Sequence, residues 1–158
     1  MIELVWEADI RAGAERVFSI LADLRGYDRW LPPSPAFKGT TTISDGPIGV
    51  GTTYVEHSAQ GTRHGKVTTY LAPTRLDFEQ PMTMKPAILG VIGIELSHTL
   101  TPGVDSVHLV RRLRVSPRGL VRWVMPLAIG SFKTENDRMM TMLKTFAESA
   151  PVSGTFPA

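Results

Sequence analysis

His98 and Arg111 are the side chains whose types and spacing point most directly to chemistry. They stand in two runs that alternate apolar and polar residues, Val91–Thr101 and Ser106–Val115, joined by Pro102-Gly103-Val104-Asp105. Runs of this kind around such a turn predict an antiparallel hairpin. Centring the turn on Gly103-Val104 sets Leu100 opposite Val107, His98 opposite Leu109, Leu96 opposite Arg111 and Glu95 opposite Arg112. Opposed residues share a face. The face holding Ile94, Leu96, His98, Leu100, Leu109 and Arg111 is interior by composition. His98 and Arg111 are then diagonal neighbours on an apolar wall.

A buried guanidinium needs an anion or several acceptors, because an isolated buried charge is costly. Glu56 and Glu79 are candidate internal partners. A ligand carboxylate, phenolate or enolate is the external alternative. An imidazole beside the guanidinium can donate, accept or move a proton. The same placement also suits a satisfied core histidine beside a structural ion pair. No catalytic residue is therefore assigned; His98, Arg111 and Tyr54 are the candidates. Tyr54 belongs to a hairpin closed by Ser58–Gly61, where Glu56 faces Arg63, Tyr54 faces Gly65, and Val67, Thr69 and Leu71 share the face of Tyr54. His57 and His64 fall on the other face without a nearby carboxylate, a poor metal site. No metal and no cofactor are expected. Gly46-Pro47-Ile48-Gly49-Val50-Gly51 runs into a strand without a Lys-Ser/Thr pair, so it is neither a P-loop nor a dinucleotide fingerprint. With no cysteine in the chain, disulfides and thiolate chemistry are excluded.

These residues need a scaffold. A chain of 158 residues, 42% hydrophobic and 20% charged, is expected to form one globular domain over residues 1–150 with a flexible tail at 151–158. A formal charge of +2 is too small to argue for nucleic acid, and no aromatic platform interleaves with the basic residues. No signal peptide or membrane span is legible, so a cytoplasmic protein is expected. Ile2–Ile10 reads as a strand. Val17, Phe18, Leu21 and Leu24 mark a helix stopped by Gly26, and one further turn at Tyr27–Leu31 ends at Pro32-Pro33. Strands are expected at Phe37–Ile43, Gly51–His57, Thr62–Leu71 and Arg75–Gln80, then a loop over Pro81–Gly90 and the hairpin above. Ser116-Pro117 would cap a long helix over Arg118–Ser149. Consecutive hairpins imply an antiparallel sheet that curls.

The order and spacing of several motifs resemble the START/Bet v 1-like (SRPBCC) superfamily, specifically its polyketide cyclase/dehydrase-like bacterial members. The matching residues are Ala14-Glu15-Arg16-Val17-Phe18, Tyr27-Asp28-Arg29-Trp30-Leu31-Pro32, Gly49-Val50-Gly51-Thr52 and Ala72-Pro73-Thr74-Arg75-Leu76. The resemblance implies an α+β helix-grip fold: about seven curved antiparallel strands around the long C-terminal helix, with two short helices after the first strand. It also implies a cavity between sheet and helix. The expected function is binding or transport of a small hydrophobic ligand, such as a lipid, isoprenoid or polyketide-like aromatic. The alternatives are a cofactor-independent cyclase/dehydratase in the same cavity and a chaperone- or protein-interaction module.

The residues expected to line that cavity are Trp30, Tyr54, Phe78, Met82 and Met84, then Leu96, His98, Leu109 and Arg111, and from the helix Met125, Ile129 and Phe132. Methionines suit an irregular pocket, and Met82 and Met84 stand in a proline-bounded segment where apolar side chains need a reason. The helix itself changes character. Val121, Met125, Ala128, Phe132, Met139, Leu143 and Phe146 form one stripe, whereas Leu120, Trp123 and Leu127 fall on the opposite side. Pro126 lies at the change and would kink or divide the helix. Arg118, Arg122 and Trp123 together would suit contact with an anionic membrane surface. Leu120, Trp123 and Leu127 would otherwise cover the cavity, meet a partner or pack.

Overall fold

The computed structural model describes residues 1–149; the expected tail at 151–158 lies outside them. The chain forms β1 (Ile2–Ile10), α1 (Ala14–Ala22), a 3₁₀ turn at Leu24–Arg29, β2 (Thr40–Thr41), β3 (Thr53–His57), β4 (Gly61–Leu71), β5 (Arg75–Glu79), β6 (Met82–Met84), a short 3₁₀ turn at Ala87–Leu89, β7 (Val91–Pro102), β8 (Val107–Arg118) and α2 (Val121–Glu148). Eight antiparallel strands make one sheet in the order β1-β8-β7-β5-β4-β3-β2, with β6 bridging β4 and β7. The long helix α2 crosses β1 and β8 and touches α1. This is the helix-grip arrangement.

Alternation builds the sheet. On β7 and β8 the buried positions are Ile92, Ile94, Leu96, His98 and Leu100 facing Val107, Leu109, Arg111, Leu113 and Val115. The polar residues between them point outward, as a half-buried strand requires. The Gly103 N–H donates to the Ser106 carbonyl at 2.7 Å, so the turn closes between Pro102 and Val107. Its centre lies one residue beyond Gly103-Val104. Partners therefore shift by two: His98 opposes Arg111 directly, Leu96 opposes Leu113 and Glu95 opposes Arg114. Face assignments survive, because a shift of two preserves side-chain parity.

Other expectations need correction for local reasons. The strand expected at Phe37–Ile43 shrinks to Thr40–Thr41, because Gly39 and Thr42 both take positive φ. Met82–Met84 is a strand rather than part of a loop, because β4 and β7 supply partners on both sides. A bulge at Thr68 reverses parity along β4. Tyr70 then packs inward, while Leu71, 62% exposed, leaves the face of Tyr54. Ser116-Pro117 does not start the helix. Both residues still pair with β7, the chain turns at Gly119 with φ +88°, and Leu120 takes the cap position without a side-chain cap bond. Pro126 does not divide the helix, which runs through it unbroken.

The two halves of α2 are held differently. Met139, Met140, Leu143 and Ala147 are buried against the core. Trp6 Nε1–H donates to Asp137 Oδ1 at 2.7 Å and Lys144 Nζ–H to the Asp9 carbonyl at 2.6 Å. Arg16 Nε–H donates to the Ala147 carbonyl at 2.9 Å, satisfying a C-terminal carbonyl that the helix cannot pair itself. In the first half, only Val121 and Met125 are fully buried. Leu143 is 1% exposed at the seam. Leu143→Ala is expected to lower the unfolding free energy by about 2–5 kcal/mol, read from the denaturant midpoint.

Candidate functional site

A cavity of about 140 Å³ lies between α2 and the sheet. Phe78, Met82, Met84, Ile92, Ile94, Leu96 and Leu113 supply its apolar wall from the sheet, and Ala128, Phe132 and Met139 supply it from α2. Leu24, Tyr27 and Leu31 close it from the segment after α1. Exposed Gln60 and Ser131 mark its rim.

Arg111 is the one basic side chain set into the wall on the β7–β8 hairpin, and it is only 6% exposed. Its Nε–H donates to Asn136 Oδ1 at 2.7 Å. Its Nη1–H donates to His98 Nε2 at 2.6 Å. The histidine's Nδ1–H in turn donates to the Leu76 carbonyl at 3.1 Å, and Asn136 Nδ2–H to the Phe132 carbonyl at 2.8 Å. One chain of hydrogen bonds thus joins β5, β7, β8 and α2. It also fixes the histidine tautomer: Nδ1 carries the proton and Nε2 accepts. Burial, and then the adjacent guanidinium, push the His98 pKa down to about 3. Burial likewise pulls Arg111 down, to about 10.

A guanidinium has five N–H groups. The two bonds above leave three of Arg111's without a protein acceptor among the described residues. No carboxylate there lies within ion-pair distance of it either. Glu56 is taken by Arg63 at 3.1 Å, a pair in which both side chains are nearly buried, and Arg63 also donates to the Ala36 carbonyl at 3.0 Å. Glu79 is exposed on the opposite face. Neither candidate internal partner reaches Arg111.

A second polar group stands across the cavity. Tyr54 lies over Gly65, where a Cβ would overlap its ring, and its hydroxyl donates to Gln80 Oε1 at 2.7 Å. Burial, and then the Glu56 charge, raise the Tyr54 pKa well above 10. Tyr27 also lines the cavity, but its hydroxyl is committed to the Leu21 carbonyl at 2.5 Å.

Of the residues expected to line a pocket, Tyr54, Phe78, Met82, Met84, Leu96, Arg111 and Phe132 do so. His98, Leu109, Trp30, Met125 and Ile129 do not. His98 and Leu109 are fully buried; Arg111 and Asn136 screen this end of the hairpin from the cavity, so His98 supports the wall from behind. Trp30 packs on Tyr27 with ring centroids 5.0 Å apart, and Met125 and Ile129 belong to the core around the start of α2. Asn136 and Gln80 line the cavity without having been expected from the sequence, whereas Arg63 pairs with Glu56 as the hairpin register predicts. Asn136 had a signal: it occupies the polar slot in the stripe between Phe132 and Met139. Gln80 had another, continuing the inward alternation of Leu76 and Phe78.

The burial of neutral His98 has a measurable consequence. Its folded pKa of about 3 lies below the ordinary 6.5. Between those values the unfolded chain binds the extra proton, so stability is lost as pH falls from 6.5 toward 3. The expected contribution is about 1 kcal/mol per pH unit. His98→Gln should flatten that part of the stability–pH curve relative to the parent, as measured by urea melts at stepped pH.

Among the described residues, no helix is long and apolar enough to cross a membrane. No curated protein matches the sequence. Solved structures do match in fold. Protein MLL2253 from Mesorhizobium loti shares 16% identity and a TM-score of 0.69, over 91% of this chain and 95% of that one. Truncated norcoclaurine synthase from Thalictrum flavum shares 18% identity and a TM-score of 0.66, over 94% and 95%. Aha1 from Colwellia psychrerythraea shares 18% identity and a TM-score of 0.61, over 96% and 99%. At these identities the likeness is one of fold alone. The sequence model of the polyketide cyclase/dehydrase and lipid transport family covers residues 1–148. With the helix-grip fold and its cavity in place, the chain belongs to that family.

Proposed function

We propose that this protein binds a small, mainly apolar ligand carrying one anionic or strongly accepting oxygen. The apolar body would lie against Phe78, Met82, Met84 and Phe132, and the oxygen would meet Arg111. One observation carries this reading: Arg111 is buried beside the cavity and, among the described residues, has three N–H groups without an acceptor and no carboxylate in reach. A ligand oxygen would supply the missing acceptor in a medium where a charge-assisted hydrogen bond is strong. A lipid, isoprenoid or aromatic acid meets the requirement, and lipid transport is within the family's description.

Binding is favoured over a cyclase or dehydratase because the candidate proton carriers are engaged. His98 is bonded at both ring nitrogens and held neutral. The Tyr54 proton is committed to Gln80. A chaperone- or protein-interaction module would instead work through Leu120, Trp123 and Leu127, none of which lines the cavity.

Titration calorimetry with a medium-chain fatty acid, the matching alcohol and an aromatic carboxylate tests the proposal. At least one acid should bind, and more tightly than the alcohol. Arg111→Gln should weaken that acid about 10- to 100-fold, the loss of a hydrogen bond to a charged group. Failure of every probe to bind, or unchanged affinity in a folded Arg111→Gln protein, would overturn it.

A further inference from the structure

The first half of α2 carries an apolar arc that none of the described residues covers. Trp123 is 76% and Leu127 84% exposed, and Leu120 and Val124 lie beside them. At 100° per residue these four span about a quarter of the helix circumference, on the side away from buried Val121 and Met125. The Ala87–Leu89 turn extends the patch: Leu89 abuts Gly119, and neighbouring Ile88 is 75% exposed. A contiguous exposed apolar surface marks an interaction site.

Charge decides what it meets. Residues 81–94 and 116–134 contain Lys85, Arg118, Arg122 and Lys133 and no aspartate or glutamate. All four cations are exposed, and none forms an ion pair among the described residues. Most other arginines are paired with carboxylates, among them Arg75 with Asp77, Arg114 with Glu3 and Arg138 with Glu135. The Arg122 guanidinium lies 5.9 Å from the centroid of the Trp123 ring, keeping a cation beside the amphipathic indole. A second copy is a poor occupant, because a two-fold contact would set each arginine cluster against its own image.

We propose that this face, Leu120, Trp123, Val124 and Leu127 with Ile88 and the four cations, docks on an anionic lipid bilayer. The apolar arc would enter the headgroup–acyl boundary and the cations would meet lipid phosphates and carboxylates. Residues Ala128 and Phe132 of the same helix line the cavity on its inner side. Docking would therefore bring one cavity wall to the bilayer. The proposal goes beyond ligand binding and stands without it.

Flotation with phosphatidylcholine vesicles, with and without phosphatidylserine, tests it on the full chain. Binding should require phosphatidylserine and weaken with added salt. A blue shift of tryptophan fluorescence on binding should be lost in Trp123→Phe, while buried Trp30 stays silent. Arg118→Gln/Arg122→Gln should weaken partitioning roughly 30-fold, about fivefold for each charge. Trp123→Ser/Leu127→Ser should abolish it with the melting temperature unchanged, as expected for exposed sites. Arg111→Gln should bind vesicles like the parent, which separates this test from that of the cavity. Absence of binding to phosphatidylserine vesicles, or binding indifferent to both double substitutions, would overturn the proposal. So would a dimer in solution that those substitutions dissolve, or saturable binding to an acidic polypeptide in preference to vesicles.

Discussion

Burying a guanidinium is costly, and much of this molecule is arranged around doing so. Arg111 sits on an apolar wall at 6% exposure. An isolated charge there would be strongly unfavourable. Instead the guanidinium is spread over neutral acceptors: a histidine from the neighbouring strand and an asparagine from the helix. The histidine is oriented by the Leu76 carbonyl of β5, and the asparagine by the Phe132 carbonyl one turn earlier in its own helix. The sheet and the helix are therefore joined by direction-specific bonds as well as apolar contact. The same arrangement imposes a protonation state, because a histidine that accepts at Nε2 and donates at Nδ1 cannot take a second proton without losing the arginine bond.

That constraint shapes the cavity. The layer of Arg111, Asn136 and His98 closes one end, and the space beyond is lined mainly by Met, Ile, Leu and Phe side chains. Tyr54 is bonded to Gln80 and Arg63 is neutralised by Glu56, whereas Arg111 has no carboxylate within ion-pair distance among the described residues. A mainly apolar space with one buried cation that lacks a carboxylate partner among the described residues selects for shape along most of its length and for an oxygen at one point. The helix that walls this space is anchored at its far half by Trp6, Arg16 and Lys144 and carries its exposed apolar arc at the near half.

Strand periodicity made the sheet legible, because alternation tells faces apart regardless of turn details. His98 and Arg111 were readable as inward-facing for that reason, and a two-residue error in register left them there. Turn geometry was less legible. The hydrogen bond from Gly103 to Ser106 makes the residues direct partners, and the bulge at Thr68 exchanges Tyr70 for Leu71 on the inner face. Helix boundaries were also obscured. Ser116-Pro117 has the composition of a helix start, yet cross-strand pairing with β7 keeps both residues in the sheet.

The sequence by itself determined the order of the longer elements, the inward face of β7 and β8, the apolar stripe of α2 and the family. These depend on local period and motif spacing, which one chain carries along its length. Tertiary structure alone decided that Asn136 rather than Glu56 or Glu79 meets Arg111, that His98 lies behind the cavity rather than in it, and that Trp123 and Leu127 face outward. Each of those depends on how a helix more than ten residues away in sequence rotates over the sheet. Linear spacing does not encode that rotation.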